Sequence, residues 1–391
     1  MSLTRRQFGC ALCGLASLAL TGRSRAQIDA GRTFLVPGYR PPADSDEKGL
    51  WSLMDRAERD FRDSRFLVRE PTLNAYLNEV ACRLGKDYCR DLRIYIVRTP
   101  YFNASMAPNG MMQVWTGLLL RCNDEAQLAA ILGHEMGHYL RRHTVEQWRD
   151  VRDKATIAAV VGLGLTAAGA GSASALTNLA LQASIFAFSR DQEREADDIG
   201  LELMVKAGYT PLAAPEVWEQ LLVEAKAGTA ERASNILFAT HPEPEERLDT
   251  LREKARRDDD KSGDRGRGRY QAGLAEVRKE LVRDELALRQ YGRSEVVFER
   301  LLAQWPDDGL LWFAKGEIYR LRGGEGDTER AMDAYETAIG RSDAPPETYR
   351  SIVLVELKRG ERERAEKAFE RYLELRPDAS DAGGLRMILK R

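Results

Sequence analysis

The stretch Leu128-Ala-Ala-Ile-Leu-Gly-His134-Glu135-Met136-Gly137-His138-Tyr139-Leu140 decides how the rest of the chain is read. Apolar residues recur at helical spacing from Leu128 through Ile131, Leu132 and Met136 to Leu140, which predicts one amphipathic helix. Asn123 and Asp124 offer an N-cap, and Glu125 places negative charge in a first turn that favours it. His134 and His138 lie four residues apart, so both imidazoles leave the same face about one turn apart. Two neutral imidazoles so placed can chelate one zinc ion, with Glu135 beside them to take a proton from an activated water. The chain has four histidines in 391 residues, His134, His138, His143 and His241, so a pair at this spacing carries weight.

H-E-x-x-H is a short pattern, and the third ligand decides what it means. A metzincin would have Gly at position 141 and His at 144, where this chain has Arg141 and Thr144; His143 misses by one residue, and that class is excluded. The other common solution is a carboxylate from a later helix, which Ser189-Arg-Asp-Gln-Glu193-Arg-Glu195-Ala-Asp197 supplies. Glu193 and Asp197 share a face at i and i+4. Glu193 can ligate zinc while Asp197 hydrogen-bonds a ligand imidazole and fixes its tautomer. Glu195 is expected on a solvated face of that helix, and His143 as a polar helix-end residue helped by the dipole.

His134-Glu-Met-Gly-His138, followed by S-R-x-x-E-x-E-A-D-x-x-G ending at Gly200, resembles the HtpX and CAAX-prenyl-protease superfamily of gluzincin metallopeptidases. Asn103-Ala104 with the glycine-containing segment after it, and His241-Pro242 with Arg247, are similar to the same family's pattern. The likeness covers about residues 50 to 250. With the export signal and repeats described below, it is nearest to periplasmic BepA-like proteases of outer-membrane protein quality control. The resemblance implies an α+β zincin-type zinc metalloendopeptidase with one Zn2+ per chain, held by His134, His138 and Glu193 and using Glu135 as base. It also implies that His241 is a fourth ligand of a latent state, or a donor to the oxyanion; the plainer reading is a helix-capping His before Pro242. Arg247 is expected either to clamp a substrate carbonyl or to pair with a carboxylate such as Glu243. The rival function is a repeat-based chaperone or interaction module with a structural or permanently latent zinc site. Glu135 argues for the enzyme, since a structural zinc has no use for it.

The remaining segments set the organisation. Thr4-Arg5-Arg6-Gln7-Phe8 and the apolar run to Leu20, with Ser24-Arg-Ala26 behind, read as a twin-arginine signal peptide over 1–26, and so as export to the periplasm by the Tat route. That run is shorter than the ~20 residues a span needs. A formal net charge of −2 gives no field that argues for nucleic acid. Cys82 and Cys89 can form a disulfide in an oxidising compartment, leaving Cys122 as a buried thiol. Leu50 to Phe66 and Pro71 to Leu84 are helical in pattern, and Leu92 to Val97 has strand character. Asn109-Gly110 between 101–107 and 111–115 predicts a hairpin with a type I′ turn, whose sheet edge could hold a peptide substrate in extended form.

Residues 155–188 carry no charge; a flap over the site is the preferred reading, membrane-surface contact the next, and spanning the least supported. The peptidase domain is assigned 27–255 and a solvated charged linker 256–270. From 271 to 391 the chain repeats: Trp312, Gly316, Tyr319, Ala331, Tyr335 and Ala338 follow the tetratricopeptide pattern, as do Tyr349, Gly360, Ala365, Phe369 and Pro377, with a weaker unit around Phe298, Leu301 and Pro306. The expected architecture is mainly α with a small β-sheet, followed by an α-helical solenoid. Its repeats would bring in protein substrates or dock on outer-membrane assembly machinery.

Overall fold

The computed structural model describes residues 34–153, 188–228, 241, 244–259 and 263–390. The signal segment, residues 155–187 and Pro242-Glu243 lie outside the described residues. Among the described residues, no helix is long and apolar enough to cross a membrane.

The first helices follow their caps. Helix α1 (Asp46–Arg62) starts where the Ser45 side chain accepts the Lys48 N–H, four residues ahead of the expected Leu50. Helix α2 (Pro71–Leu84) has Pro71 in its first turn, and the Glu70 carboxylate accepts the Thr72 and Leu73 amides. A disulfide joins Cys82 to Cys89 just beyond α2, and Cys122 is free and buried.

Strands β1 (Arg93–Val97), β2 (Ala104–Met106) and β3 (Met111–Trp115) form one sheet in the order β1-β3-β2. β1 runs parallel to β3, and β2 pairs antiparallel with β3 through Ala104↔Val114 and Met106↔Met112. The hairpin forms where Asn109-Gly110 predicts it, but not through a type I′ turn. Gly110 has φ +90°, whereas Asn109 is not left-handed. Pro108, with its fixed negative φ, occupies the second position of an Ala107-to-Gly110 turn closed by the Gly110 N–H on Ala107 O at 2.9 Å. The glycine is thus used one residue later than expected. β2 is left as an edge strand beside the helix that carries the histidines.

After the short helix α3 (Thr116–Arg121), that helix, α4 (Glu125–Arg141), is capped by Asp124, whose carboxylate accepts the Gln127 N–H at 2.9 Å. The expected amphipathicity is absent in three dimensions: every residue from Glu125 to Leu140 is buried. The sheet, α2 and two later helices enclose α4, so its polar residues face protein rather than water. Those later helices are α6 (Arg190–Lys206), opened by a capping box between Ser189 and Gln192, and α7 (Ala213–Lys226); α5 (His143–Asp153) lies between α4 and α6 in sequence. Helix α8 (Pro244–Asp258) packs on α6 and α7.

The described residues of the charged stretch 256–270 differ from an extended linker, being helical at the start and docked at the end. Helix α8 continues to Asp258, and from Gly263 the chain is docked on the peptidase core. The Asp264 N–H bonds Gly208 O at 2.9 Å, Arg265 pairs with Asp124 and Glu216, and Arg269 with the buried Glu125. These arginines act as counter-ions for acids at the start of α4, which a solvent-exposed reading leaves unpaired.

Beyond helix α9 (Arg267–Leu274), three helix pairs follow as expected: α10 and α11 (Arg278–Ala287, Tyr291–Gln304), α12 and α13 (Gly309–Arg322, Asp327–Ile339), and α14 and α15 (Glu347–Arg359, Arg362–Leu375). Helix α16 (Ala382–Leu389) closes the array. Gly316 is small because the Tyr335 ring lies 2.4 Å from where a Cβ would be. The array is fastened to the peptidase part by buried charges: Arg121 contacts Glu224 at 2.8 Å and Glu285 at 3.0 Å, and Arg293 contacts Glu224 at 2.8 Å.

Candidate active site

Helices α4 and α6 meet backbone to backbone. A Cβ on Gly137 would lie 2.8 Å from Ala196 Cα, and one on Gly200 would lie 3.0 Å from the His134 nitrogen. This closeness brings Glu193, on the first turn of α6, against the histidine face of α4. One ligand atom from each of His134, His138, Glu193 and His241 lies within 4.8 Å of all the others, and all four residues are buried. Nε2 of His134 is 3.1 Å from Nε2 of His138, and each is 3.5 Å from a Glu193 oxygen.

Hydrogen-bond roles test whether these groups suit a cation. Asp197 lies 2.9 Å from His134 Nδ1. Burial would raise the Asp197 pKa, but Arg247 and His134 bring it down to about 2. As a carboxylate it only accepts, so His134 carries its proton on Nδ1 and presents a bare lone pair at Nε2. Burial also holds the His134 and His138 pKa values below the ordinary range, the latter well below it, which keeps both rings neutral. His138 Nδ1 is bonded to His143 Nδ1 at 2.9 Å, so its Nε2 also faces the centre. Glu193 Oε2 is met by Arg247 Nη1 on one side, and on the other the carboxylate faces both Nε2 atoms. Electron-rich atoms aimed at one another across about 3 Å repel unless a cation lies between them. Donors about 2.0–2.2 Å from a tetrahedral zinc stand roughly 3.3–3.6 Å apart. The residues present therefore fit a zinc ion.

Glu135 is 2 % exposed, and burial pushes its pKa up to about 7, with Glu193 adding to the rise and His241 and Arg247 opposing it. The Met106 amide on edge strand β2 donates to it, tying the acid to the strand. His241 turns Nδ1 to Glu193 Oε1 at 2.9 Å and to His134 Nε2 at 3.3 Å, with Nε2 3.6 Å from Glu135. Burial works against its charged form, yet Glu193 and Glu135 raise its pKa above the ordinary value.

Of the two roles expected for Arg247, the described contacts are those of pairing with carboxylates. Its Nε and Nη2 bond both Asp197 oxygens at 2.9 and 2.7 Å, Nη1 reaches Glu193, and the guanidinium lies 4.3 Å from the Trp218 ring centre. Arg247 thus spans the two carboxylates. Glu243, its suggested partner, lies outside the described residues. Glu195 is not on a solvated face either: Arg141 pairs with it at 2.8 Å and His143 at 3.1 Å. From the sequence, Glu195 and His143 carry only surface and helix-end readings, not this contact with each other. The available signal was His143 five residues beyond His138, too far for one helix but natural after a break. That break is Arg142, left-handed at φ 62°.

An H-E-x-x-H helix under a small sheet edge, with a glutamate from a second helix, defines a zincin-type metallopeptidase domain followed by a tetratricopeptide solenoid. More particularly, residues 67–255 match the model of peptidase family M48, and residues 279–347 match that of a tetratricopeptide repeat. It is similar to the beta-barrel assembly-enhancing protease of Escherichia coli (strain K12), 29% identical over 206 residues, 50% of this chain and 42% of that protein. The protein of the same name in Yersinia pestis is 28% identical over 256 residues, 62% of this chain and 52% of the relative. Mitochondrial metalloendopeptidase OMA1 of Schizosaccharomyces pombe is 35% identical over 161 residues, 41% and 45% of the two chains. The chain thus spans about half the length of the relatives it matches.

Proposed function

We propose that this protein is a zinc-dependent endopeptidase of the bacterial periplasm, which cleaves misfolded or misassembled envelope proteins brought to it by the repeats. The observation that carries this reading is the pair of facing Nε2 lone pairs, 3.1 Å apart, with the Glu193 carboxylate 3.5 Å from both. The envelope setting rests on the twin-arginine segment and on relatives named for β-barrel assembly.

His134, His138 and Glu193 would hold the ion, which when bound would supply Lewis acidity to a water and to the scissile carbonyl. Glu135, with a pKa near neutrality, takes the proton of that water and passes it to the leaving amine. An extended substrate segment would add to edge strand β2 directly beside Glu135, which the Met106 amide already holds. Asp197 and Arg247 keep the His134 ring and Glu193 in place. His241, wedged between Glu193 and Glu135, fills the space a water and carbonyl need, and its departure is what opens the site.

Two substitutions test this together. Glu135→Gln should retain bound zinc while cleavage of an unfolded protein falls by about 10²–10⁴-fold. His241→Ala should raise cleavage above the wild-type rate. Undetectable cleavage by the zinc-loaded His241→Ala protein would instead favour a repeat-based chaperone with a structural metal.

A further inference from the structure

The His138 ring is held from two sides. Phe188 stacks on it with ring centres 3.8 Å apart, and His143 Nδ1 meets its Nδ1 at 2.9 Å. His143 reaches that position because Arg142 is left-handed, which ends α4 and turns the first residue of α5 back over the helix end. On its far side, His143 Nε2 lies 3.1 Å from Glu195 Oε2, and the other Glu195 oxygen pairs with Arg141 at 2.8 Å.

The direction of each bond follows from one end of the chain. Glu195, paired to a guanidinium, is a carboxylate and can only accept, so His143 Nε2 carries the hydrogen. A neutral His143 then has a lone pair at Nδ1, which can accept only if His138 Nδ1 carries its hydrogen. His138 Nε2 is left bare and faces Nε2 of His134 at 3.1 Å. For His134 the Asp197 carboxylate achieves the same end in a single step; for His138 the carboxylate is one imidazole further away.

Resting on the metallopeptidase reading above, we propose that His143 and Glu195 are positioning residues, a histidine-carboxylate chain that fixes the His138 tautomer and ring so that Nε2 is presented to the metal. Neither residue touches substrate. Both act through His138, as Asp197 acts through His134.

Zinc affinity of the full exported chain, measured by competition with a chromogenic chelator, tests this without reference to activity. His143→Leu removes the acceptor and should weaken zinc binding by about 10–100-fold. His143→Asn keeps an acceptor oxygen close to where Nδ1 stood and should bind within a few-fold of wild type. His143→Gln moves its amide one atom outward, toward Glu195, and should bind as weakly as His143→Leu. Loading with Co2+ should give a visible absorption band that is wild-type-like for Asn and altered for Gln. If His143→Leu does not fold, the Asn and Gln pair still decides, since both are polar and of nearly equal bulk. Equal affinity of those two, or wild-type affinity in a folded His143→Leu chain, overturns the proposal. Failure of the wild-type chain to bind zinc at all would instead remove the metallopeptidase reading itself.

Discussion

Arg247 shows how the same side chain changes meaning between sequence and structure. From the sequence a substrate clamp and a carboxylate pairing are both open to it, and in the structure its guanidinium engages Asp197 and Glu193. Identity and spacing single out His134, His138, Glu193 and Asp197, because these repeat at a helical period on two segments, and the structure brings the four side chains together. They could not find Glu195 or His143, whose partners depend on the Arg142 turn and on the angle between α4 and α6. Glu58, on α1, is a comparable residue far from the metal. It receives Arg93, Tyr95 and Asn109 and joins α1 to the sheet and its turn. Burial would raise its pKa, but the bonds from Arg93, Tyr95 and Arg62 prevail and lower it from 4.5 to about 2. A depressed carboxylate pKa stabilises the folded state fully above the unfolded value and loses that contribution as pH falls through the folded one. Denaturant melts should therefore lose on the order of 2 kcal/mol from this group between pH 4.5 and 2, and Glu58→Gln should flatten that part of the pH profile.

At the level of elements, most of the fold was legible. Pro71 to Leu84 is helical over the residues its pattern marks, and the three repeat pairs fall where their Trp, Gly, Tyr and Ala positions put them. Two readings failed for a common reason, which is that burial by distant segments does not show in local sequence. Helix α4 is enclosed on all sides, and the 263–270 segment is docked by arginines whose acid partners lie 49 to 144 residues away. The contact between α4 and α6 gives the element-scale prediction. Gly137→Ala places a methyl against Ala196 backbone, with no flexible side chain to yield. It should destabilise the fold by about 1–3 kcal/mol. Because separation of the helices also carries Glu193 away from the imidazoles, zinc affinity should fall in the same variant, whereas Gly383→Ala, with open space around it, should change neither.

For the whole molecule, the junction between peptidase and repeats is decided by a charge cluster of Arg121, Glu224, Glu285 and Arg293, with Ser294 also donating to Glu285 at 2.8 Å. Removing one member of such a buried cluster strands its partners. Arg121→Ala should cost about 3–5 kcal/mol in denaturant melts and expose the two parts to separate unfolding transitions. The more exposed pair between Arg98 and Asp284, which also bridges the two parts, should cost less than about 1 kcal/mol when Arg98 is changed to alanine. An unchanged single transition in Arg121→Ala would mean that apolar packing alone joins the parts.

That mounting has a consequence for cutting. A solenoid on a flexible tether would sweep a volume and deliver bound chains at many offsets, but this one is keyed to α3 through Arg121–Glu285 and to α7 through Arg293–Glu224, both buried ion pairs. On the proposed reading, a polypeptide gripped at one point on the repeats would reach the site only beyond a minimum number of residues from the grip. Fragment lengths would then be ruled by distance along the substrate as much as by the side chains beside the scissile bond.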